Sequence, residues 1–187
     1  ILFSEMIAIW VISFWEKLDC PKKFNLIELG AGNGEMMRVL VSTFNKFPQF
    51  KNSCNINILE KSDLLKRTQK NNIKNTEIKW LSNLSELNNI PCIFIANEFF
   101  DALPIKQFLK KGKKWYERHV NFSHDKKLKY LDILFDMHKF EKKIELKISY
   151  KQTFIEYSPL TTKYLKTIIK KIKLNNGGIL IIDYAYL

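Results

Sequence analysis

The sequence predicts an α/β protein: a parallel sheet with helices on both faces and an antiparallel β insertion after the fourth strand. Three stretches carry that prediction. In the first, the apolar run Leu26-Ile27-Glu28-Leu29 enters Gly30-Ala31-Gly32-Asn33-Gly34 and then an amphipathic segment from Glu35 to Phe47, which reads as strand, glycine turn and helix. In the second, Asn55 to Glu60 alternates polar and apolar residues and ends on a carboxylate. In the third, Pro91 to Ala96 is uninterruptedly apolar, as expected of a strand covered on both faces, and it stops at the octet Asn97-Glu98-Phe99-Phe100-Asp101-Ala102-Leu103-Pro104.

The remaining elements follow from periodicity and punctuation. Phe3 to Leu18 has helical spacing, with Ser4 or an earlier residue as its start, and Cys20-Pro21 ends it. Trp10 and Trp15 in this helix read as core or interface. Phe47-Pro48 breaks the chain after the second helix. Ser62 caps a helix over Asp63 to Lys70, and Glu77 to Leu81 is a third strand. Ile105 to Phe122 and Lys127 to Phe135 alternate like strands, with Gly112 turning a hairpin between lysines. Trp115, Glu117 and Arg118 have two readings, a substrate surface and, more plainly, a cross-strand ion pair. Lys139 to Lys151 shows no clear period. Phe154 to Tyr157 is a strand, Ser158-Pro159 opens a helix over Leu160 to Leu174, Asn176-Gly177-Gly178 closes it, and Ile179 to Ile182 is another buried strand. The chain of 187 residues therefore reads as one domain, with 105–151 as a β-rich insertion. Starting at Ile1 and stopping just past a strand, it is expected to be part of a longer protein.

Composition narrows the function classes. No apolar run reaches the length of a membrane span, and no signal peptide is visible. Cys20, Cys54 and Cys92 are odd in number and widely spaced, which fits free buried thiols. His119, His124 and His138 lack paired ligand spacing, so no metal is expected. The net charge of +12 is almost all lysine, since Arg38, Arg67 and Arg118 are the arginines. Base readout and bidentate phosphate clamps favour arginine, so the lysines read as a solvated surface rather than a nucleic-acid face.

The glycine turn defines a cofactor cradle, and its spacing constrains the cofactor. A dinucleotide fingerprint would place a third glycine at position 35, where this chain has Glu35. A carboxylate there would compete with a pyrophosphate for the positive end of the helix, whereas a cofactor with a cationic centre and no phosphate tolerates it. S-adenosylmethionine (SAM) is such a cofactor. Gly30, Gly32 and Gly34 are the cradle, with Glu28 just before it. Glu60, at the tip of the second strand, is suited to accept hydrogen bonds from both ribose hydroxyls, and Asn83, in the loop after the third strand, lies where adenine is commonly met. As the first residue past its strand, Asn97 is expected to touch the methionine end. Glu98 and Asp101 give the octet two carboxylates beside its two phenylalanines and the Asn97 amide.

Together Glu28-Leu29-Gly30-x-Gly32-x-Gly34, Ala96 to Pro104, Trp115-x-Glu117-Arg118 and Ile182-Asp183-Tyr184 resemble the MidA family of SAM-dependent methyltransferases, with the octet as the specific part. The resemblance implies a Rossmann-like class I methyltransferase sheet whose final strands lie outside this chain. It also implies protein-arginine methylation, since mitochondrial members are complex I assembly factors that dimethylate an arginine of a complex I subunit. The implied partner is accordingly a protein carrying an arginine side chain, and on that implication Glu98 and Asp101 are the candidates for gripping it, because a bidentate carboxylate matches a planar guanidinium. The implied compartment is the cytoplasm for a bacterial member and the mitochondrial matrix for a eukaryotic one. Ala31, Asn33 and Ala185 depart from the residues common in the family. Two rival readings are a methyltransferase acting on RNA or a small molecule, and a non-catalytic SAM-fold assembly factor.

Overall fold

The computed structural model describes residues 1–122 and 127–184. His124 and Ala185 lie outside the described residues. The chain divides into two compact units, one made of Ile1–Ala102 and Tyr164–Leu187 and the other of Leu103–Lys163.

The first unit is built on five parallel strands in the order β3-β2-β1-β4-β9. They are β1 (Phe24–Leu29), β2 (Cys54–Leu59), β3 (Ile78–Leu81), β4 (Cys92–Asn97) and β9 (Gly177–Ile182). All six residues of β1 are buried, because β2 and β4 flank it and both its faces are covered. Alternation decides which face each side chain joins. Phe24, Leu26, Ile58, Ile78, Ile93 and Ile95 form one core with α1 (Leu2–Lys17) and α2 (Glu35–Phe44). Ile27, Leu29, Leu59, Leu81 and Phe94 form the other, which α6 (Pro159–Asn175) covers through Tyr164, Ile168 and Ile172. The strand order reverses between β1 and β4, the position where open α/β sheets bind ligands beyond their strand ends.

Local sequence explains most of the helix boundaries. Ser62 accepts a hydrogen bond from the Leu65 amide and caps α4 (Asp63–Asn72), and Ser158 accepts from the Thr161 amide in the same way at the start of α6. The first helix begins before Ser4, which lies buried inside α1; Ile1 precedes its first residue with no side-chain cap, because the packing of Ile7, Val11 and Trp15 fixes the helix. The break at Phe47-Pro48 is the start of a short helix α3 (Pro48–Ser53), since proline fits a first helical turn. That helix sets Phe50 among Trp15, Phe24 and Phe44, with ring centroids 5.5, 5.4 and 4.7 Å away. All three cysteines are free, but Cys92 alone is fully buried: Cys54 is half-buried and Cys20 exposed, because Cys20 follows the end of α1 at the surface.

The second unit carries a four-stranded antiparallel sheet in the order β7-β6-β5-β8. Its strands are β5 (Lys106–Lys111), β6 (Lys114–Phe122), β7 (Leu128–Phe135) and β8 (Phe154–Tyr157). Gly112 turns the β5–β6 hairpin at φ +60°. The expected ion pairs cross strands: Glu117 meets Lys106 at 2.6 Å, and Arg118 meets Asp132 at 3.1 Å. The stretch without a clear period holds most of α5 (Met137–Ile144), capped by Asp136 and packed through Met137 and Phe140 onto Phe108. No helix among the described residues is long and apolar enough to cross a membrane.

Candidate cofactor and acceptor site

The glycine turn leaves β1 with Gly30, Gly32 and Gly34 at φ +66°, +53° and +84°, conformations that a side chain disfavours. The Gly30 amide donates to the Leu59 carbonyl at 3.0 Å, which ties the turn to the end of β2. A Cβ on Gly30 would lie 2.8 Å from the Phe99 ring, so the octet packs directly on the turn. A Cβ on Gly32 would meet nothing within 4 Å. Gly32 is thus bordered by open space on the side a ligand would approach.

A residue absent from the sequence reading holds this loop. Gln69, on α4 and fully buried, donates from Nε2 to the Gly32 carbonyl at 2.9 Å and to Glu60 Oε2 at 3.2 Å, while its Oε1 accepts from the Trp80 indole at 2.8 Å. Asn72 donates to the Asn33 carbonyl at 2.9 Å. Glu60 itself is nearly buried, and its Oε1 accepts from the Lys61 and Ser62 amides, both at 2.8 Å. A carboxylate offers about four lone-pair sites, so Glu60 keeps acceptor capacity after these three bonds.

Glu28 is the least satisfied of the predicted residues. It is 3% exposed, and its Oε2 has no hydrogen-bond partner among the described residues. Its neighbours in register are Ile58 and Ile95, and burial pushes its carboxyl up to about 8. A buried carboxyl with an orphaned oxygen two residues before the turn suits a cationic group, such as the ammonium of a SAM methionine. The glycine turn, open at Gly32, and this orphan together fit SAM.

Asn83 has a local task. Its Oδ1 accepts from the Ser85 amide at 3.0 Å and its amide donates to Glu86, making a capping box on the single turn Leu84–Glu86. Asn97 is the last residue of β4, opposite Ile182 of β9, rather than the first residue past the strand. Glu98 follows with φ +51°, a left-handed conformation rare for a residue with a side chain, and its amide donates to the Ile182 carbonyl at 2.9 Å. Partial desolvation, then Asp101 and Asp183, raise the Glu98 carboxyl. The charges of Asp101 and Asp183 thus reach Glu98, and the three carboxylates share the region past the ends of β4 and β9. Asp183 stands in the motif Ile182-Asp183-Tyr184, but only the pairing of β4 with β9 brings it to Glu98. Phe99 packs edge-on to Phe100 and Tyr164, with ring centroids 5.3 Å away in each case. Glu35, at the position where a dinucleotide fingerprint has glycine, is exposed and pairs with Arg38. Among the described residues no cluster of His, Cys, Asp and Glu could hold a metal ion.

A parallel sheet with strand order 3-2-1-4-9, a glycine turn at the switch point and carboxylates beyond the neighbouring strand define a SAM-dependent methyltransferase fold. Residues 6–187 match the family described as "Putative S-adenosyl-L-methionine-dependent methyltransferase", and the chain belongs to that family. A Xenopus laevis relative, protein arginine methyltransferase NDUFAF7, mitochondrial, is 26% identical over all of this chain and 48% of its own length. The Caenorhabditis elegans homologue is 32% identical over 66% of this chain and 33% of its own length. A solved structure from Burkholderia thailandensis, described as a "likely methyl transferase" bound to S-adenosyl-homocysteine, superposes with a TM-score of 0.67 at 19% identity, covering 89% of this chain and 43% of that one. At most, the chain spans about half the length of these relatives.

Proposed function

We propose that the protein to which this chain belongs is a SAM-dependent protein-arginine N-methyltransferase. The observation that carries the reading is that the octet packs on the glycine turn through Phe99 and bears Glu98 and Asp101, with the Asp183 charge also acting on Glu98. Two relatives named as protein arginine methyltransferases support it. When bound, SAM supplies a methyl group on a cationic sulfur. Gly32 leaves room for it, Glu28 offers an anion to its ammonium, Glu60 accepts from its ribose, and Asn97 lies at the methionine end. Asn83 contributes at the adenine end.

Glu98 and Asp101 are assigned to the acceptor. A carboxylate pair holds a planar guanidinium and draws its positive charge away from the attacking nitrogen. The same grip fixes that nitrogen in line, which is most of what methyl transfer requires. The attacking nitrogen gives up a proton, and the Glu98 carboxyl, raised by desolvation and then by Asp101 and Asp183, is suited to take it. In this reading the acceptor protein is a respiratory complex I subunit, as the resemblance to the MidA family implies, and the setting is the mitochondrial matrix, in line with the mitochondrial relatives. A surface of net charge +12 repels a basic peptide, so local acidity at the acceptor is required.

Asp101→Asn tests the assignment. The amide keeps the shape and loses the charge-assisted pair, so SAM affinity should hold while transfer falls about 10- to 150-fold, the loss of one charged hydrogen bond. Transfer unchanged in this variant would mean that the carboxylates are structural.

A further inference from the structure

We infer that the second unit contains a binding site for a small apolar anion, separate from the cofactor site and independent of the proposed function. A cavity of about 350 Å³ opens where α5 packs against the ends of β5, β7 and β8. That volume lies within the range of small-ligand sites, which are mostly apolar with a few placed polar groups.

The floor is aromatic. Phe108 and Phe140 are almost fully buried, with ring centroids 5.0 Å apart, and Phe135 and Tyr157 pack beside them at 4.4 Å from Phe108 and 5.1 Å from Phe140. The rim is cationic. Lys139 and Lys143 stand one turn apart on α5, on the face that carries Phe140, and both line the cavity. Among the described residues neither has a carboxylate partner, whereas Lys106 at the same rim pairs with Glu117 at 2.6 Å. Asp136 is the carboxylate at the lip, and its Oδ1 already accepts from the Lys139 amide as the cap of α5.

Two ammonium groups one turn apart repel each other, and an anion between them relieves that repulsion. Below them lies an aromatic surface that an apolar ring can cover. The chemistry selected is therefore a flat apolar body bearing one carboxylate or equivalent anion. Without such a ligand, the lysine stems would simply cover the rings and leave their heads in water.

The test uses 2-naphthoate and its neutral counterpart 2-naphthamide, titrated into the whole protein by calorimetry and by NMR. The expected result is naphthoate binding at least tenfold more tightly than the amide, with resonances of Tyr157 and Phe135 shifting. The double variant Lys139→Gln/Lys143→Gln should reduce naphthoate affinity to that of the amide and leave SAM affinity unchanged. Equal binding of acid and amide, an unaffected double variant, or displacement of naphthoate by SAM would each overturn the inference.

Discussion

Replacing Glu28 by Gln separates two effects of one buried carboxyl. In the folded protein Glu28 keeps its proton up to about pH 8, against an ordinary value of 4.5. Between those values the folded state holds more protons than the unfolded state, so stability falls as pH rises. At about 1.4 kcal/mol per unit, the whole interval amounts to roughly 5 kcal/mol as an upper figure. Glu28→Gln cannot titrate and should remove that slope. Cofactor binding has the opposite requirement, because an ammonium needs the carboxylate. At pH 7 a carboxyl with a value of about 8 is roughly nine-tenths protonated, so SAM binding should release close to one proton. Calorimetry in buffers of different ionisation enthalpy reads that proton directly, and urea unfolding at pH 5, 7 and 9 reads the slope. The variant should release none and bind SAM about 10- to 150-fold more weakly, corresponding to about 1.5–3 kcal/mol for a hydrogen bond to a charged group. Buffer-independent enthalpy in the wild type, or an unchanged stability slope in the variant, would refute the reasoning.

Three further variants probe the cradle. Gly32→Val should abolish SAM binding, because a branched side chain at φ +53° is strained and fills the open side of the turn; equal affinity by calorimetry would contradict this. Glu60→Ala should cost about 1.5–3 kcal/mol of SAM affinity and also lower the melting temperature, since Glu60 accepts from the Lys61 and Ser62 amides and from Gln69. A loss of stability with SAM affinity intact would leave Glu60 a structural role alone. Asn97→Ala should weaken both cofactor binding and turnover, and a change confined to turnover would move Asn97 away from the methionine end.

The sheet was legible because its strands are apolar runs set off by glycine, proline and acidic residues, and because parallel strands need long connections between them. Glycine spacing marked the turn for a related reason: few residues other than glycine accept its backbone angles. What stayed hidden depended on distant pairing. Gln69 reads as an ordinary polar residue on an exposed helix until α4 docks and puts its amide between Gly32 and Glu60. Asp183 reads as a strand-end acid until β9 pairs with β4. The helix α5 was hidden by its lysines, although Asp136 followed by Met137, Phe140 and Ile144 holds a cap and an apolar stripe at helical spacing. Pro48 carries two meanings in sequence, breaker and first-turn residue, and the burial of Phe50 decides between them.

The most direct test of the central claim is to incubate the whole protein with isotopically labelled SAM and a lysate from cells lacking it, and to map the labelled residue by mass spectrometry. The account predicts label on an arginine side chain of a protein, insensitive to nuclease and strongly reduced by Asp101→Asn. Label found on RNA, or protein label that persists undiminished in Asp101→Asn, would contradict it.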